Sequence, residues 1–302
     1  MEGRLALCPP LWSALLGVCG VGGVFVGSLY VCASAADRDS PPVIKRRFLR
    51  VGVSSLLAPL LTLLALLPAS SPSCLHLSPP LLFGLWGPAP IVSTLLPLAL
   101  TLTLFAGPLL ALVLSSSPFE PREPLLSGGE RRRLVLARNL LVGPLAEEWV
   151  FRSCACPLLF GAGVGEGWAV LLAAVLFGAA HIHHRLEGTS WAAVGFQFGY
   201  TSLFGAYSAY LFLRTGLLYG PVLAHSFCNF MQVPDFASIP YHPRPKLLGA
   251  TYVVGLGAFI ALVTVRRSSP SRDPAAHMPA PLQLDAIYRP ALFGSVYWDE
   301  MS

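Results

Sequence analysis

The chain has 302 residues, of which 54% are hydrophobic and only 12% are charged, and its net charge is +5. The charged fraction is about half that of an ordinary soluble domain, which is typical of a membrane protein with several spans. The basic residues fall in short clusters between apolar segments, which excludes the extended basic surface of a nucleic-acid-binding protein. We therefore expect membrane lipid around the chain and no nucleic-acid partner.

The first apolar segment runs from about Pro9 to Cys32. It is longer than the roughly 7–15 apolar residues of a signal peptide, although Ala33-Ser34-Ala35 resembles a cleavage site. Its length therefore predicts a retained first membrane span.

Apolar runs of about 20 residues recur along the chain and predict an all-α, polytopic membrane protein with about eight transmembrane helices. Residues 1–8 form a short N-terminal segment and residues 9–265 an eight-span membrane domain. Residues 266–302 form a polar tail that we expect to be disordered. The predicted spans lie near residues 9–33, 51–67, 91–114, 138–160, 168–180, 191–213, 217–233 and 247–265.

Basic residues are concentrated in alternate connections between the spans. Because Lys and Arg favour the cytoplasmic side, connections one, three, five and seven should face the cytosol and the N-terminus the lumen. Arginines after the last span argue for the opposite orientation. The basic residues are Arg38, Lys45, Arg46, Arg47 and Arg50 in connection one, Arg122, Arg131, Arg132, Arg133 and Arg138 in connection three, and Arg266, Arg267 and Arg272 after span eight.

Three ionisable residues, Glu147, Glu148 and Arg152, lie inside the fourth apolar segment. A charge at membrane depth costs about 3 kcal/mol on insertion scales, so such residues usually face a protein interior and mark a functional site. Glu148 and Arg152 are four residues apart, on one helix face and in the favourable order for an ion pair. Glu147 is then free to act as a general base in an apolar pocket. The alternative is a structural ion-pair cluster of all three residues.

Two later apolar segments carry further polar pairs with helical spacing. His181 closes the fifth segment, one turn after Phe177, and could work with Glu147 to activate a water molecule. His225 and Asn229 are also one turn apart, and their N–H groups could stabilise a developing oxyanion. Alternatively, His181 is an ordinary interfacial residue, and the other two form a hydrogen-bonding pair between helices.

We expect no metal and no cofactor. The H-E-x-x-H pattern of helical zinc sites is absent, although residues from different spans could still meet at an ion. The seven cysteines are odd in number and show neither a metal spacing nor a disulfide framework. We interpret them as small apolar core residues.

The polar motifs resemble those of the type II CAAX prenyl endopeptidase family. Glu147-Glu148-x-x-x-Arg152, Phe177-x-x-x-His181 and His225-x-x-x-Asn229 follow one another in the order of that family, on an eight-span chain. The resemblance extends over about residues 15–265. It implies that the eight-span domain is an intramembrane protease.

The resemblance also implies a specific reaction and location. Members of the family reside in the endoplasmic reticulum membrane and remove the C-terminal tripeptide of farnesylated or geranylgeranylated CAAX proteins, small Ras-type GTPases among them. Glu147 and His181 match the catalytic pair that activates water without a metal, and His225 and Asn229 match the residues that stabilise the transition state. Glu148 and Arg152 would support this site, which should open toward the cytosol.

Two other classes of function stay open at this point. A catalytically inactive membrane protein could bind prenylated or lipid partners, and it would hold a prenylated peptide without forming product. An ion transporter could also contain buried carboxylates, but such folds often show paired halves with interrupted helices, and the sequence shows no repeat.

Overall fold

The chain is almost entirely helical, as the sequence predicts. The computed structural model describes residues 5–31, 37–68, 75–87, 89–114 and 129–264. Within these ranges the only sheet is the antiparallel pair of β1 (Leu5–Leu7) and β2 (Leu75–Leu77). The predicted tail, residues 266–302, lies outside the described residues. The helices are α1 (Leu11–Ser28), α2 (Pro41–Leu66), α3 (Pro79–Leu82), α4 (Pro90–Leu104), α5 (Ala106–Leu114), α6 (Glu130–Ala137), α7 (Gly143–Glu148), α8 (Cys156–Gly161), α9 (Glu166–Ala179), α10 (Trp191–Thr215), α11 (Tyr219–Met231) and α12 (Pro245–Thr264).

Each predicted span corresponds to helical structure, which confirms an all-α polytopic protein. In the described part of the chain, four helical stretches are long and apolar enough to cross a membrane: Leu11–Ser28, Pro41–Leu66, Glu166–Glu187 and Pro245–Thr264. A fifth arises if α4 and α5, which are bent by 65° relative to each other, form one broken span. The bend is explained by Pro108, which has no N–H to donate to Leu104 at the end of α4. The count of about eight spans stays a prediction.

The fourth predicted span alternates between short α-helical and π-helical segments. The π-helical segments Arg138–Val142 and Trp149–Ala155 flank α7, which carries both glutamates. A proline follows shortly after the start of each neighbouring α-helix, at Pro144 and Pro157. Because proline lacks an N–H, the regular hydrogen-bond ladder cannot continue through it, and we attribute the wider π turns to this defect. Such π segments are frequent at functional sites.

Connections one, three and five lie on one face of the helical bundle, which is the grouping that the charge pattern predicts. Ion pairs join the first connection and the start of α2 to the third and fifth connections. These pairs are Arg131–Asp37 (3.2 Å), Arg138–Asp39 (2.7 Å), Lys45–Glu130 (2.6 Å) and Arg47–Glu187 (2.9 Å).

The small sheet lies on the opposite face. The Leu7 side chain of β1 packs so closely on Gly161, at the end of α8, that a Cβ there would come within 2.7 Å of it. Cys8, directly after β1, is disulfide-bonded. The interpretation of the cysteines as free core residues is therefore wrong for Cys8. The other described cysteines, Cys19, Cys154, Cys156 and Cys228, are free.

The core is organised around aromatic rings and small residues. Phe151 of the second π segment packs edge-on against Phe25 of α1 and Phe177 of α9, with ring centres 5.9 and 5.2 Å apart. Helices α9 and α10 approach so closely that a Cβ on Gly178 would overlap the Ser202 hydroxyl. Small residues allow membrane helices to make such contacts. This packing brings α9, α10 and the glutamate-bearing segment together.

Candidate active site

The predicted ion pair between Glu148 and Arg152 is present and fully buried. Arg152 Nε lies 3.0 Å from Glu148 Oε2. Ser208 of α10 joins the pair, since its hydroxyl donates to the same Glu148 oxygen and accepts from Arg152 Nε at 2.9 Å. The Arg152 guanidinium lies 4.5 Å from the centre of the Phe177 ring, where the negative ring face stabilises the cation. These contacts join three helices (α7, α9 and α10) and one π segment.

Glu148 also holds His225, a contact that sequence reasoning did not identify. His225 Nδ1 donates to Glu148 Oε1 at 2.8 Å. This hydrogen bond fixes the orientation of the buried imidazole, as a carboxylate commonly does for a catalytic histidine. The other ring nitrogen, Nε2, then lies 3.9 Å from Glu147 Oε2. The two adjacent glutamates therefore contact the two nitrogens of one histidine.

Glu147 is the more accessible of the two glutamates, with 25% of its side chain exposed. Within the described residues its carboxylate makes no hydrogen bond, and its ion-pair partner is His225. The carboxylate lies beside Gly143, one turn earlier, where a Cβ would lie 3.9 Å from Oε1 and only 2.7 Å from the Arg138 carbonyl oxygen. Glycine at this position thus permits both the π turn and an open approach to the carboxylate.

His181 also packs against the Phe177 ring. Its Nδ1 donates to the Phe177 carbonyl oxygen at 2.8 Å, which leaves Nε2 as the nitrogen with a free lone pair. The ring centres of His181 and His225 lie 5.0 and 6.1 Å from that of Phe177. Both histidines therefore contact the same aromatic ring. Among the described contacts, none joins His181 directly to Glu147.

Asn229 contacts the first π segment rather than the histidine one turn before it. Its Nδ2 donates to the Asn139 carbonyl oxygen at 2.9 Å. That oxygen needs a donor, because the Gly143 N–H bonds to Arg138 O instead and Pro144 has no N–H. One amide hydrogen of Asn229 therefore caps the π segment, and the second stays available for another acceptor.

The described residues contain one cluster of donors that could hold a metal ion, and it lies outside the glutamate pair. The donor atoms of His183, His184 and Glu187 lie within 4.8 Å of one another. Glu187 is already engaged by Arg47 at 2.9 Å and by His184 at 2.9 Å. The predicted catalytic residues are not part of this cluster.

The fold is that of a polytopic all-α membrane protein, with a cluster of ionisable side chains buried between its helices. Comparisons with known proteins give the family. Residues 130–231 match the family described as "Type II CAAX prenyl endopeptidase Rce1-like". These residues include both glutamates, Arg152, His181, His225 and Asn229.

Curated relatives extend the similarity over most of the chain. The chain is 38% identical to "CAAX prenyl protease 2" of Homo sapiens over 294 residues, which cover 90% of this chain and 84% of that protein. It is 36% identical to the Rattus norvegicus protein of the same name, over 90% of this chain and 83% of that protein. The Arabidopsis thaliana protein of that name is 42% identical over 42% of each chain. No solved structure matches significantly.

The chain belongs to the type II CAAX prenyl endopeptidase family. It is therefore a membrane protease, and the enzyme predicted from the sequence is confirmed.

Proposed function

We propose that this protease removes the C-terminal tripeptide from prenylated CAAX proteins, small Ras-type GTPases among them, by direct attack of a water molecule. The proposal is supported by the names of the curated relatives and by the geometry of the two glutamates. The observation that carries it is their unequal environment. Glu148 is buried in a hydrogen-bonded ion pair, whereas Glu147 is partly exposed and unbonded beside His225.

In the proposed reaction, Glu147 accepts a proton from water while the water oxygen attacks the carbonyl carbon of the prenylated cysteine. The carbon–nitrogen bond then breaks, and the proton passes to the leaving amine. His181, whose Nε2 is free, assists both proton transfers. The products are a prenyl-cysteine carboxylate and a free tripeptide.

His225 is proposed to stabilise the oxyanion through Nε2, together with Asn229. This requires a hydrogen on both ring nitrogens, because Nδ1 already donates to Glu148. A donor preorganised in this way typically contributes roughly 3–4 kcal/mol to transition-state stabilisation. Glu148 and Arg152 support the site by orienting His225.

We place the protein in the endoplasmic reticulum membrane with the site open toward the cytosol. His181 and Asn229 lie at the face that carries connections one and three, whose excess of basic residues favours the cytosolic side. The disulfide of Cys8, on the opposite face, favours an oxidising lumen there. A substrate anchored in the cytosolic leaflet by its prenyl group would then reach Glu147.

The test is product analysis with purified protein and a farnesylated CAAX peptide. Mass spectrometry should detect an intact tripeptide together with the shortened farnesyl-peptide acid, and a chelator should not abolish the reaction. Cleavage at any other bond, or binding without product, would contradict the proposal. Complete and reversible loss of activity in chelator would contradict the metal-free mechanism.

A further inference from the structure

A group of arginines borders the site on the face that carries connections one, three and five. We call Arg38, Arg47, Arg138, Asp39 and Glu187 the arginine cluster. Glu187 contacts Arg47 at 2.9 Å and Arg38 at 3.7 Å, while Asp39 contacts Arg138 at 2.7 Å. The cluster therefore contains one more guanidinium than carboxylate. An unneutralised positive charge of this kind is suited to bind an anion.

Arg38 is the chain neighbour of Asp39, the residue that Arg138 contacts at 2.7 Å, so the two arginines meet at one carboxylate. Burial lowers the pKa of Arg38, and the positive charge of Arg138 lowers it further. Arg38 remains accessible, with 50% of its side chain exposed, whereas Arg138 is 17% exposed. A carboxylate placed between the two would offset these positive charges and form charge-assisted hydrogen bonds with both.

The arginine cluster adjoins the catalytic residues from two sides. On one side, the His184 ring lies 6.2 Å from the His181 ring and donates to Glu187 at 2.9 Å. On the other side, Arg138 precedes Asn139, whose carbonyl oxygen accepts from Asn229. A ligand bound at the cluster would therefore lie at the edge of the site.

Glu147 lies on the turn that follows Arg138, within reach of a short peptide from the arginine cluster. The Glu147 carboxylate lies beside Gly143, whose N–H bonds to the Arg138 carbonyl oxygen across one π turn, so the backbone of Arg138 is about one helical pitch, roughly 5 Å, away. The Arg138 side chain extends this separation. Three extended residues span roughly 10 Å, so a substrate cut three residues from its end would place its terminal carboxylate near the cluster.

We propose that Arg38 and Arg138 bind the terminal carboxylate of the substrate and thereby set the cleavage position three residues from the end. This inference rests on the proposed function, because it assumes removal of a C-terminal tripeptide. The two arginines would be specificity-determining residues, and they would act on substrate affinity more than on the chemical step.

The test compares two farnesylated peptides that differ only at the C-terminus, one a free acid and the other a carboxamide, in neutral detergent without anionic lipid. The wild-type protein should cleave the acid with a KM about tenfold lower than that of the amide. R38Q and R138Q should each remove most of this preference with little change in kcat. R131Q is the matched control, because Arg131 is a neighbouring ion-paired arginine that is 62% exposed, and it should keep the preference.

D39N separates carboxylate binding from a structural role of the Arg138–Asp39 pair. If Arg138 binds the substrate carboxylate, D39N removes a competing anion and should lower the KM of the acid severalfold. If the pair is only structural, D39N should impair cleavage in the same direction as R138Q, and the inference is wrong. The D39N measurement therefore tests carboxylate binding even if R38Q or R138Q fails to fold.

The remaining outcomes distinguish the two proposals. Equal cleavage of acid and amide by the wild-type protein would overturn the carboxylate site while leaving the proposed function intact. An acid preference that survives in both R38Q and R138Q would overturn it as well. Release of a fragment other than the tripeptide from the acid peptide would instead refute the proposed function.

Discussion

Under the proposed mechanism the Ser208 hydroxyl helps to hold Glu148 and, through it, His225, so its removal should lower activity out of proportion to its size. Ser208 donates to Glu148 and accepts from Arg152. Glu148 in turn fixes His225. Ser208→Ala would leave the carboxylate with one donor fewer and loosen the orientation of the imidazole.

The size of the effect follows from the charge of the acceptor. A hydrogen bond to a charged group contributes about 1.5–3 kcal/mol. If that energy is fully expressed in the transition state, kcat falls roughly 10- to 150-fold. KM should change little, because the network orients a catalytic group and does not touch the proposed carboxylate site.

Ser202→Ala is the matched control on the same helix. Its hydroxyl is also buried but makes no hydrogen bond among the described residues, so removing it should leave kcat within about twofold and stability unchanged or slightly raised. The assay is steady-state cleavage of a farnesylated peptide, with thermal unfolding in detergent measured in parallel. Equal kcat values for the two variants would refute the assigned role of Ser208.

Three further predictions concern packing, the π segment and pH. Gly178→Ala should destabilise the protein by about 1–3 kcal/mol, because the new Cβ overlaps the Ser202 side chain. Gly195→Ala is the control and should not destabilise it, because a Cβ at Gly195 would have no atom within 4 Å. Equal unfolding temperatures of the two variants would contradict this prediction. Pro144→Ala restores an N–H near the Asn139 carbonyl oxygen, which Asn229 otherwise caps. The loss of stability caused by Asn229→Ala should therefore be about 0.5–1.5 kcal/mol smaller in the Pro144→Ala protein than in the wild type. If the effects of the two substitutions on the free energy of unfolding simply add, Asn229 does not cap the π segment. The hydrogen bond from Arg138 lowers the pKa of Asp39. The Arg138–Asp39 pair should therefore stabilise the folded protein fully at pH values above the ordinary aspartate pKa of about 3.9. This stabilisation should be lost as the pH falls through the lowered pKa of Asp39 and the carboxylate is protonated. Because Asp39 is 40% exposed, D39N should cost less than about 1 kcal/mol at pH 7, and a cost that does not shrink as the pH is lowered would contradict the assignment.

The local parts of the site follow from helical spacing and could be predicted from the sequence. Glu148 and Arg152 pair because they are one turn apart, and the positive residues correctly group connections one, three and five. The same reasoning leaves Glu147 without a partner in its own helix.

The parts that depend on contacts between distant helices could not be predicted. Ser208 is 60 residues from Glu148, and nothing in its sequence context distinguishes it from Ser202. The Asn139 carbonyl oxygen is free to accept from Asn229 because Pro144, just after the π segment, has no N–H to donate to it. The π segment itself could not be predicted, because it has no characteristic spacing of apolar residues. The Cys8 disulfide was missed because an odd cysteine count suggested no framework.

Replacement of Glu147 tests the central claim most directly. Glu147→Gln keeps the size of the side chain but removes the base, and we expect kcat to fall by roughly 10²–10⁴, with unchanged unfolding temperature and retained binding of the farnesylated peptide. Glu166→Gln, which alters an ion-paired carboxylate at the opposite face, should keep full activity. A Glu147→Gln protein that cleaves within tenfold of the Glu166→Gln control would contradict the assignment of Glu147 as the group that activates water.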